Sequence, residues 1–216
     1  MVFNLSTKPG IHQYFLSQLR NRDKQENREA FRRNMERLGQ ILAYEISLHL
    51  PFHEISVTSP LGTATSRVPA EMPVLCCILR AGLPFFNGFQ NYFFESPAGF
   101  IGAYRGKIAS DNSFDIDLLY EALPPLDGKT LILIDPMLAS GKSMAKAAES
   151  ICRRSKPSRL IFASLIASPE GCHLLEELFP EASVWTIALD EGLNEHAYIM
   201  PGLGDAGDLS FGPKQD

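Results

Sequence analysis

Residues 131–143 read Leu131-Ile132-Leu133-Ile134-Asp135-Pro136-Met137-Leu138-Ala139-Ser140-Gly141-Lys142-Ser143, four apolar residues running into an acid and then into a turn of small residues. Four successive apolar positions describe a strand buried on both faces of a parallel sheet. The turn opens a helix, and in an open α/β sheet ligands sit at the carboxyl ends of the strands. Ala139, Ser140, Gly141 and Ser143 bring N–H groups and hydroxyls to one point at a helix amino terminus, which is what a phosphate dianion requires. Asp135 is out of place in such a hole, because a carboxylate repels phosphate. Its expected partner on the same ligand is neutral or cationic, such as ribose hydroxyls or a bound Mg²⁺.

The pattern extends on both sides. Val74-Leu75-Cys76-Cys77-Ile78-Leu79 is a second run apolar at every position, and Gly82 to Phe93 suits a helix. Gly99 to Tyr104, Leu160 to Ala167 and Val184 to Leu189 read as further strands, with helices from Ser143 to Arg154 and from Glu170 to Phe179. Strands alternating with helices imply right-handed βαβ crossovers, so the expected fold is α/β, a mostly parallel sheet flanked by helices.

Nearer the amino terminus, Phe31, Met35, Leu38, Leu42 and Ile46 recur at helical steps, which predicts an amphipathic helix within Gln25 to Leu50, ended by Pro51. Ser56 to Val68 is turn-rich with short β-branched pieces, the pattern of a small hairpin. Arg105 to Asp115 (RGKIASDNSFD) is polar without a clean period and reads as a surface loop able to fold over a site. No repeat or linker divides the chain. Residues 1–216 are expected to form one domain, with an amino-terminal helical extension over residues 1–50 and a carboxyl-terminal appendage over residues 190–212.

The chain has 216 residues, 45% of them hydrophobic, enough to bury a core without disulfides or a structural metal. A net charge of -5 argues against a nucleic-acid-coating surface or a polybasic membrane patch. There is no signal-peptide pattern and no apolar run long enough to span a membrane. Four cysteines lack the spacing of a zinc knuckle or redox motif and suit a reducing cytoplasm. His49 and His53 flank Pro51, which breaks the helix that would align them on a metal.

Two chemistries compete for residues 135–143. A P-loop, G-x-x-x-x-G-K-[ST], matches Gly141-Lys142-Ser143 but has Pro136 where its first glycine belongs, and proline forbids φ > 0 and removes an N–H. No apolar strand ending in a second acid plainly offers the Mg²⁺-holding partner of such a site. The other is the loop that binds 5-phosphoribosyl 1-diphosphate (PRPP) in phosphoribosyltransferases: an apolar strand, an acid, then Ala/Thr/Ser-Gly-x-Ser/Thr. Three more segments then fall in line. They are Ile78-Leu79-Arg80-Ala81-Gly82-Leu83, then Tyr104-Arg105, and finally Leu193-Asn194-Glu195-His196-Ala197-Tyr198-Ile199-Met200-Pro201-Gly202-Leu203-Gly204-Asp205-Ala206-Gly207-Asp208. On these segments the chain, from its amino-terminal helix to Gly212, resembles the uracil phosphoribosyltransferases of the type I phosphoribosyltransferase class.

The resemblance implies conversion of uracil and PRPP to UMP and diphosphate, with Mg²⁺ carried on PRPP and no direct protein metal site. It implies PRPP binding by Arg80, Arg105, Asp135, Pro136, Met137, Leu138, Ala139, Ser140, Gly141, Lys142, Ser143 and Asp205. Uracil contacts are implied at Ile199, Gly204, Asp205 and Ala206, and catalytic parts for Asp205 and Arg105. A homodimer or larger homo-oligomer is implied as well, with neither nucleic acid nor membrane as a partner.

The residue chemistry suits that reaction. Loss of diphosphate builds positive charge on the ribose ring and negative charge on the departing group, so the site needs cations and N–H donors. Arg80 ends a buried strand directly before Ala81 and Gly82, where a guanidinium can fork onto phosphate oxygens. Gly202-Leu203-Gly204-Asp205-Ala206-Gly207 has three glycines in six residues, which lets N–H and C=O groups together read a base edge showing acceptor, donor, acceptor. Two departures stand out. Ser140-Gly141-Lys142-Ser143 replaces the family's usual Thr-Gly-Gly-Ser, and Lys142 is awkward if that position needs φ > 0 but helpful if its ammonium reaches phosphate. Gly106-Lys107-Ile108 replaces an acidic-polar run.

Plainer roles stand beside these. Arg80 and Arg105 can be strand-end surface residues, Asp135 a helix cap, and Cys76 and Cys77 small buried hydrophobes. Phe85, Phe86, Phe89, Phe93 and Phe94 are core or subunit interface. The alternatives to the enzyme are a non-catalytic nucleotide- or RNA-binding regulator on the same fold, and a P-loop-like nucleotide hydrolase.

Overall fold

In a computed structural model, which describes residues 1–108 and 114–213 but no side chains for 104–108 and 114–117, the apolar runs are strands and the amphipathic runs helices. In chain order they are β1 (Val2–Asn4), α1 (Ile11–Arg20), α2 (Arg28–Ser47), β2 (Phe52–Ser59), β3 (Gly62–Pro69), β4 (Val74–Leu79), α3 (Leu83–Tyr92), β5 (Ala98–Ile108) and β6 (Phe114–Ala122). There follow β7 (Thr130–Ile134), β8 (Met137–Leu138), α4 (Lys142–Arg154), β9 (Arg159–Ala167), α5 (Pro169–Leu178), β10 (Ser183–Leu189), β11 (Gly192–Leu193), β12 (Ile199–Met200) and α6 (Ala206–Phe211).

The main sheet runs β1-β10-β9-β7-β4-β5-β6, with β8 also paired to β9, and every pairing except β5–β6 is parallel. Its strands alternate between two apolar layers. Leu75, Cys77, Ile132 and Ile134 face α1, α2 and α3, while Val74, Cys76, Ile78, Leu131 and Leu133 face α4 and α5. That two-sided burial is why these strands are apolar at every position. The helices α2 and α3 meet backbone to backbone. A Cβ on Gly88 would lie 2.1 Å from Glu36 O, and one on Gly39 would lie 2.2 Å from Phe85 O. Phe85, Phe86, Phe89 and Phe93 are buried core, whereas Phe94 is 76% exposed.

Of three further expectations, two are met and one needs correction. The helix expected within Gln25 to Leu50 is α2, starting at Arg28 with Asn27 Oδ1 accepting from Ala30 N at 3.0 Å, and a further helix, α1, precedes it. In α1 the buried His12, Leu16 and Leu19 share one side, but exposed Ile11 and Tyr14 blur the period. The segment 105–115 is no simple surface loop: β5 continues through Arg105 to Ile108, and β6 resumes at Phe114, pairing Arg105 with Ile116. Phe114, Ile116 and Leu118 alternate with Asp115 and Asp117, a strand signal that the reading of 105–115 as loop passed over, and register shifts at Gly102/Ala103 and Arg105/Ile108 interrupt the ladder. Residues 109–113 of that expectation lie outside the described residues. The hairpin expected at 56–68 is present as β2 and β3, from Phe52↔Pro69 to Ser59↔Gly62, in a sheet of its own.

Candidate functional site

The small-residue turn lies at the carboxyl end of β7, seated on the start of α5. Asp135 N donates to Ala163 O at 3.1 Å, and Pro136 O accepts from Leu165 N and Ile166 N, each at 3.0 Å. Ser168 completes the seat: its N–H donates to Leu138 O at 2.9 Å, its hydroxyl donates to Ala139 O at 2.7 Å, and the same oxygen accepts from Gly171 N at 3.0 Å. The left-handed residue of the turn is Gly141, at φ +78, and Lys142 is the first residue of α4. The substitution of Lys for Gly therefore meets no φ > 0 requirement, because that requirement falls one residue earlier. Gly141 at the cap has no side chain to offer the first N–H groups of α4, and an anion is a ready partner at such a terminus.

Arg80 leaves the neighbouring strand β4. A Cβ on Gly82 would lie 2.4 Å from Ile78 O and 3.2 Å from Ile134 O, so only glycine lets the Arg80-Ala81-Gly82 turn close onto the end of β7. The Arg80 guanidinium is 3.4 Å from both Asp208 Oδ1 and Gly212 O, long contacts in a half-exposed setting. Ala81 Cβ would be 3.7 Å from a Cβ on Gly207, which puts this turn against the first turn of α6. Arg105 sits in the ribbon opposite Ile116, and its side chain lies outside the described residues.

The carboxyl-terminal segment faces the same edge of the sheet. Asp205 caps α6, its Oδ1 accepting from Gly207 N at 2.8 Å and Asp208 N at 3.0 Å. Ile199 and Ala206 are only 3% and 2% exposed, and their side chains belong to the apolar cluster on which Met137 and Ala139 also pack. They can meet a ligand through backbone alone. Gly202 at φ +61 and Gly204 at φ +90 bend the chain between them.

Glu170, in the first turn of α5, joins the two segments. Its Oε1 accepts from Leu193 N at 3.2 Å, two residues along the helix start from Ser168. Its own backbone N–H, then the Leu193 N–H and the Ser168 hydroxyl, hold this carboxyl below the usual carboxylate range. A depressed value means the tie to Leu193 is in place at neutral pH and weakens as pH falls through it. The cysteines take no part. Burial pushes Cys76 up to about 12 and Cys172 to about 11, and raises Cys77 as well, so none offers a thiolate at neutral pH.

Sequence reasoning passed over Ser168, Glu170 and Gly171. Ser168-Pro169 is a readable signal, a capping residue followed by proline at the first helical position. Asp190 was also missed. It does end an apolar strand, β10, but its carboxylate is taken by Arg20 and Gly202 N, which leaves it no Mg²⁺-holding part in a P-loop. Met137 and Leu138, moreover, pair with Ile166 and Ala167 as a strand rather than forming a phosphate-wrapping loop.

A mostly parallel sheet with a small-residue turn after one central strand and a glycine-rich segment nearby is the arrangement expected of a type I phosphoribosyltransferase. A solved hypoxanthine-guanine phosphoribosyl transferase of L. donovani shares the fold at TM-score 0.51 and 12% identity, over 76% of this chain and 84% of that one. The sequence profile described as Uracil phosphoribosyltransferase matches residues 8–213, and the chain belongs to that family. A uracil phosphoribosyltransferase of Porphyromonas gingivalis is 42% identical over 214 residues, covering 99% of each chain. A solved protein of Aquifex aeolicus superposes with TM-score 0.88 at 30% identity, over 98% of both chains.

Proposed function

We propose that the chain transfers the phosphoribosyl group of PRPP to uracil, forming UMP and releasing diphosphate. The observation that carries this reading is the meeting, through Ser168 and Glu170, of the turn 139–143 with the segment after Asp190 in a chain of this family. The turn from Ala139 to Ser143 takes the 5′-phosphate on N–H groups and hydroxyls, with Pro136, Met137 and Leu138 fixing its start and Lys142 adding charge. Asp135 faces the ribose hydroxyls. Arg80, with Arg105 from the ribbon, draws charge toward the leaving diphosphate. Backbone groups of Ile199, Gly204, Asp205 and Ala206 read the base, and Asp205, fixed as a cap, holds its carboxylate beside base and ribose. The segment over residues 190–212 is thus the base-reading part of one catalytic unit.

The donor set suits Mg²⁺ brought by PRPP. Among the described residues no three of His, Cys, Asp and Glu gather to hold an ion, and Mg²⁺ is commonly held by one or two carboxylates plus substrate phosphates. Asp135 and Asp205 are the carboxylates that would face it; when bound it neutralises charge on the diphosphate.

Diphosphate release measured with PRPP and uracil, cytosine, hypoxanthine or orotate tests the reading. Turnover with uracil alone is expected, because polar groups set to pair with one base edge reject a base that leaves them unpaired by about 10⁴-fold or more. Turnover with a purine but not uracil overturns it, and PRPP binding without any turnover identifies a regulator. In the same assay Lys142→Ala is expected to cost less than about tenfold, against abolition in a P-loop hydrolase.

The protein is further proposed to work as a homo-oligomer in the cytoplasm. The β2–β3 hairpin pairs Ile55 with Ser66 and Val57 with Ala64 on one weakly polar face, ends in the fully exposed Leu61, and stands outside the main sheet. A lone two-stranded ribbon is marginal in water, which supports its packing on a second copy. Sedimentation is expected to give a multiple of 23.9 kDa, falling toward one chain in Val57→Asp. An unchanged mass rules the hairpin out. All four cysteines are free, which suits a reducing compartment, and among the described residues no helix is long and apolar enough to cross a membrane.

A further inference from the structure

The backbone just ahead of the proposed base-reading turn is gripped by two side chains, Asp190 and Gln25, and Asp190 is held in turn by Arg20. Asp190, whose side chain is 5% exposed, follows β10 and anchors its own N–H on Ala167 O at 2.9 Å. One carboxylate oxygen accepts from Arg20 Nη2 at 2.5 Å, and the other accepts from Gly202 N at 2.9 Å. The next carbonyl, Leu203 O, accepts from Gln25 Nε2 at 2.8 Å, and that amide also donates to Leu19 O at 2.7 Å. Only glycine fits between these holds, since at φ +61 a Cβ on residue 202 would lie 2.1 Å from Ile199 O. Beyond the turn, Arg32 Nη1 donates to Ser210 O at 2.7 Å. The amino-terminal helices thus fix the chain on both sides of residues 204–206.

We infer that Asp190, Arg20 and Gln25 are positioning residues that set uracil affinity by holding the backbone of Gly202 and Leu203. This rests on the proposed uracil contacts at residues 199–206. Reading a base edge by backbone demands placement to about half an ångström, which a glycine-rich segment does not supply alone. A buried carboxylate bound to both a guanidinium and a backbone N–H supplies it, because losing either partner leaves the carboxylate desolvated and underpaired. Arg20 thereby acts on the base through Asp190, and Gln25 through the Leu203 carbonyl.

The test is steady-state kinetics on the full chain with Arg20→Ala, Arg20→Lys, Asp190→Asn and Gln25→Ala. The expected result for Arg20→Ala and Asp190→Asn is a KM for uracil raised about tenfold, equivalent to about 1.4 kcal/mol, with the KM for PRPP within about twofold of the parent. Arg20→Lys is expected to recover part of the loss, because it keeps the charge and one donor. Gln25→Ala removes two hydrogen bonds at a partly exposed position and leaves the ion pair intact, so it stays folded and still raises the KM for uracil. Equal rises in both KM values, or no change in either, overturn the inference. Hydrogen exchange of the parent with and without UMP separates this from the underlying reading. Protection at residues 199–206 upholds the base site, so that unchanged variants then refute the brace alone; absence of protection there refutes the base site itself.

Discussion

Replacing Arg80 by alanine is expected to lower kcat/KM by about 10²–10³ while moving Tm by no more than about 4 °C. The two magnitudes come from different parts of the structure. Among the described residues Arg80 has two polar side-chain contacts, both at 3.4 Å, to Asp208 Oδ1 and Gly212 O, with side chains 42% and 41% exposed in the ion pair. A pair that exposed is worth about 0–1 kcal/mol, which in a chain of this size is a few degrees. Its position is another matter. The tight Gly82 turn holds it at the end of β4, beside β7 and against α6, where diphosphate departs in the proposed reaction. Activity and Tm measured on one preparation decide it. A large activity loss at nearly constant Tm supports the assignment, and parental activity refutes it.

Gly171→Val is expected to raise the KM for PRPP by on the order of 10²-fold, because misplacing a binding group by about 1 Å costs that much. The glycine is not there for its φ, which is ordinary. It is there because any Cβ would lie 2.3 Å from Ala139 O and 2.9 Å from Leu138 O, backbone atoms of the phosphate turn that cannot rotate away. The turn, α5, or both must move. Overpacking of this kind costs about 1–3 kcal/mol, so a Tm lowered by about 3–10 °C accompanies the kinetic change. Isothermal calorimetry with PRPP reads the effect without turnover. Parental PRPP affinity in the variant would show that the turn tolerates displacement and that it does not bind the phosphate.

These two residues mark where the sequence was transparent and where it was opaque. Arg80 was visible because its signal is local, six apolar residues and then Arg-Ala-Gly, and the same holds for Asp135 to Ser143. The strands of the main sheet were visible for the same reason, since two-sided burial leaves runs with no polar break. Gly171 was not visible, because its constraint comes from Ala139, a residue brought to it by tertiary packing. Nor were Arg20, Gln25 and Asp190, whose partners are 170 or more residues away along the chain for Arg20–Asp190 and Gln25–Leu203. The strand ends at 105–108 and 114–115 were read as loop because Arg105, Lys107, Asp111 and Asn112 break the pattern between them, although Phe114, Ile116 and Leu118 alternate with Asp115 and Asp117 as a strand does. Ile199 and Ala206 were singled out as uracil contacts, and their side chains are buried, at 3% and 2% exposure, which sequence did not foretell.

The short strand β1 has a practical consequence. Val2–Asn4 lies along β10 in register with Val184, Trp185 and Thr186, and Phe3 stacks on the Trp185 ring at 4.0 Å. Three residues therefore stand between one rim of the sheet and the solvent. Peeling them away uncovers a row of unpaired N–H and C=O groups flanked by apolar side chains, the kind of rim on which chains add to one another. The shelf life of a concentrated preparation rests on that thin hem staying sewn, and the indole of Trp185, the sole tryptophan, would report its fraying before turbidity did.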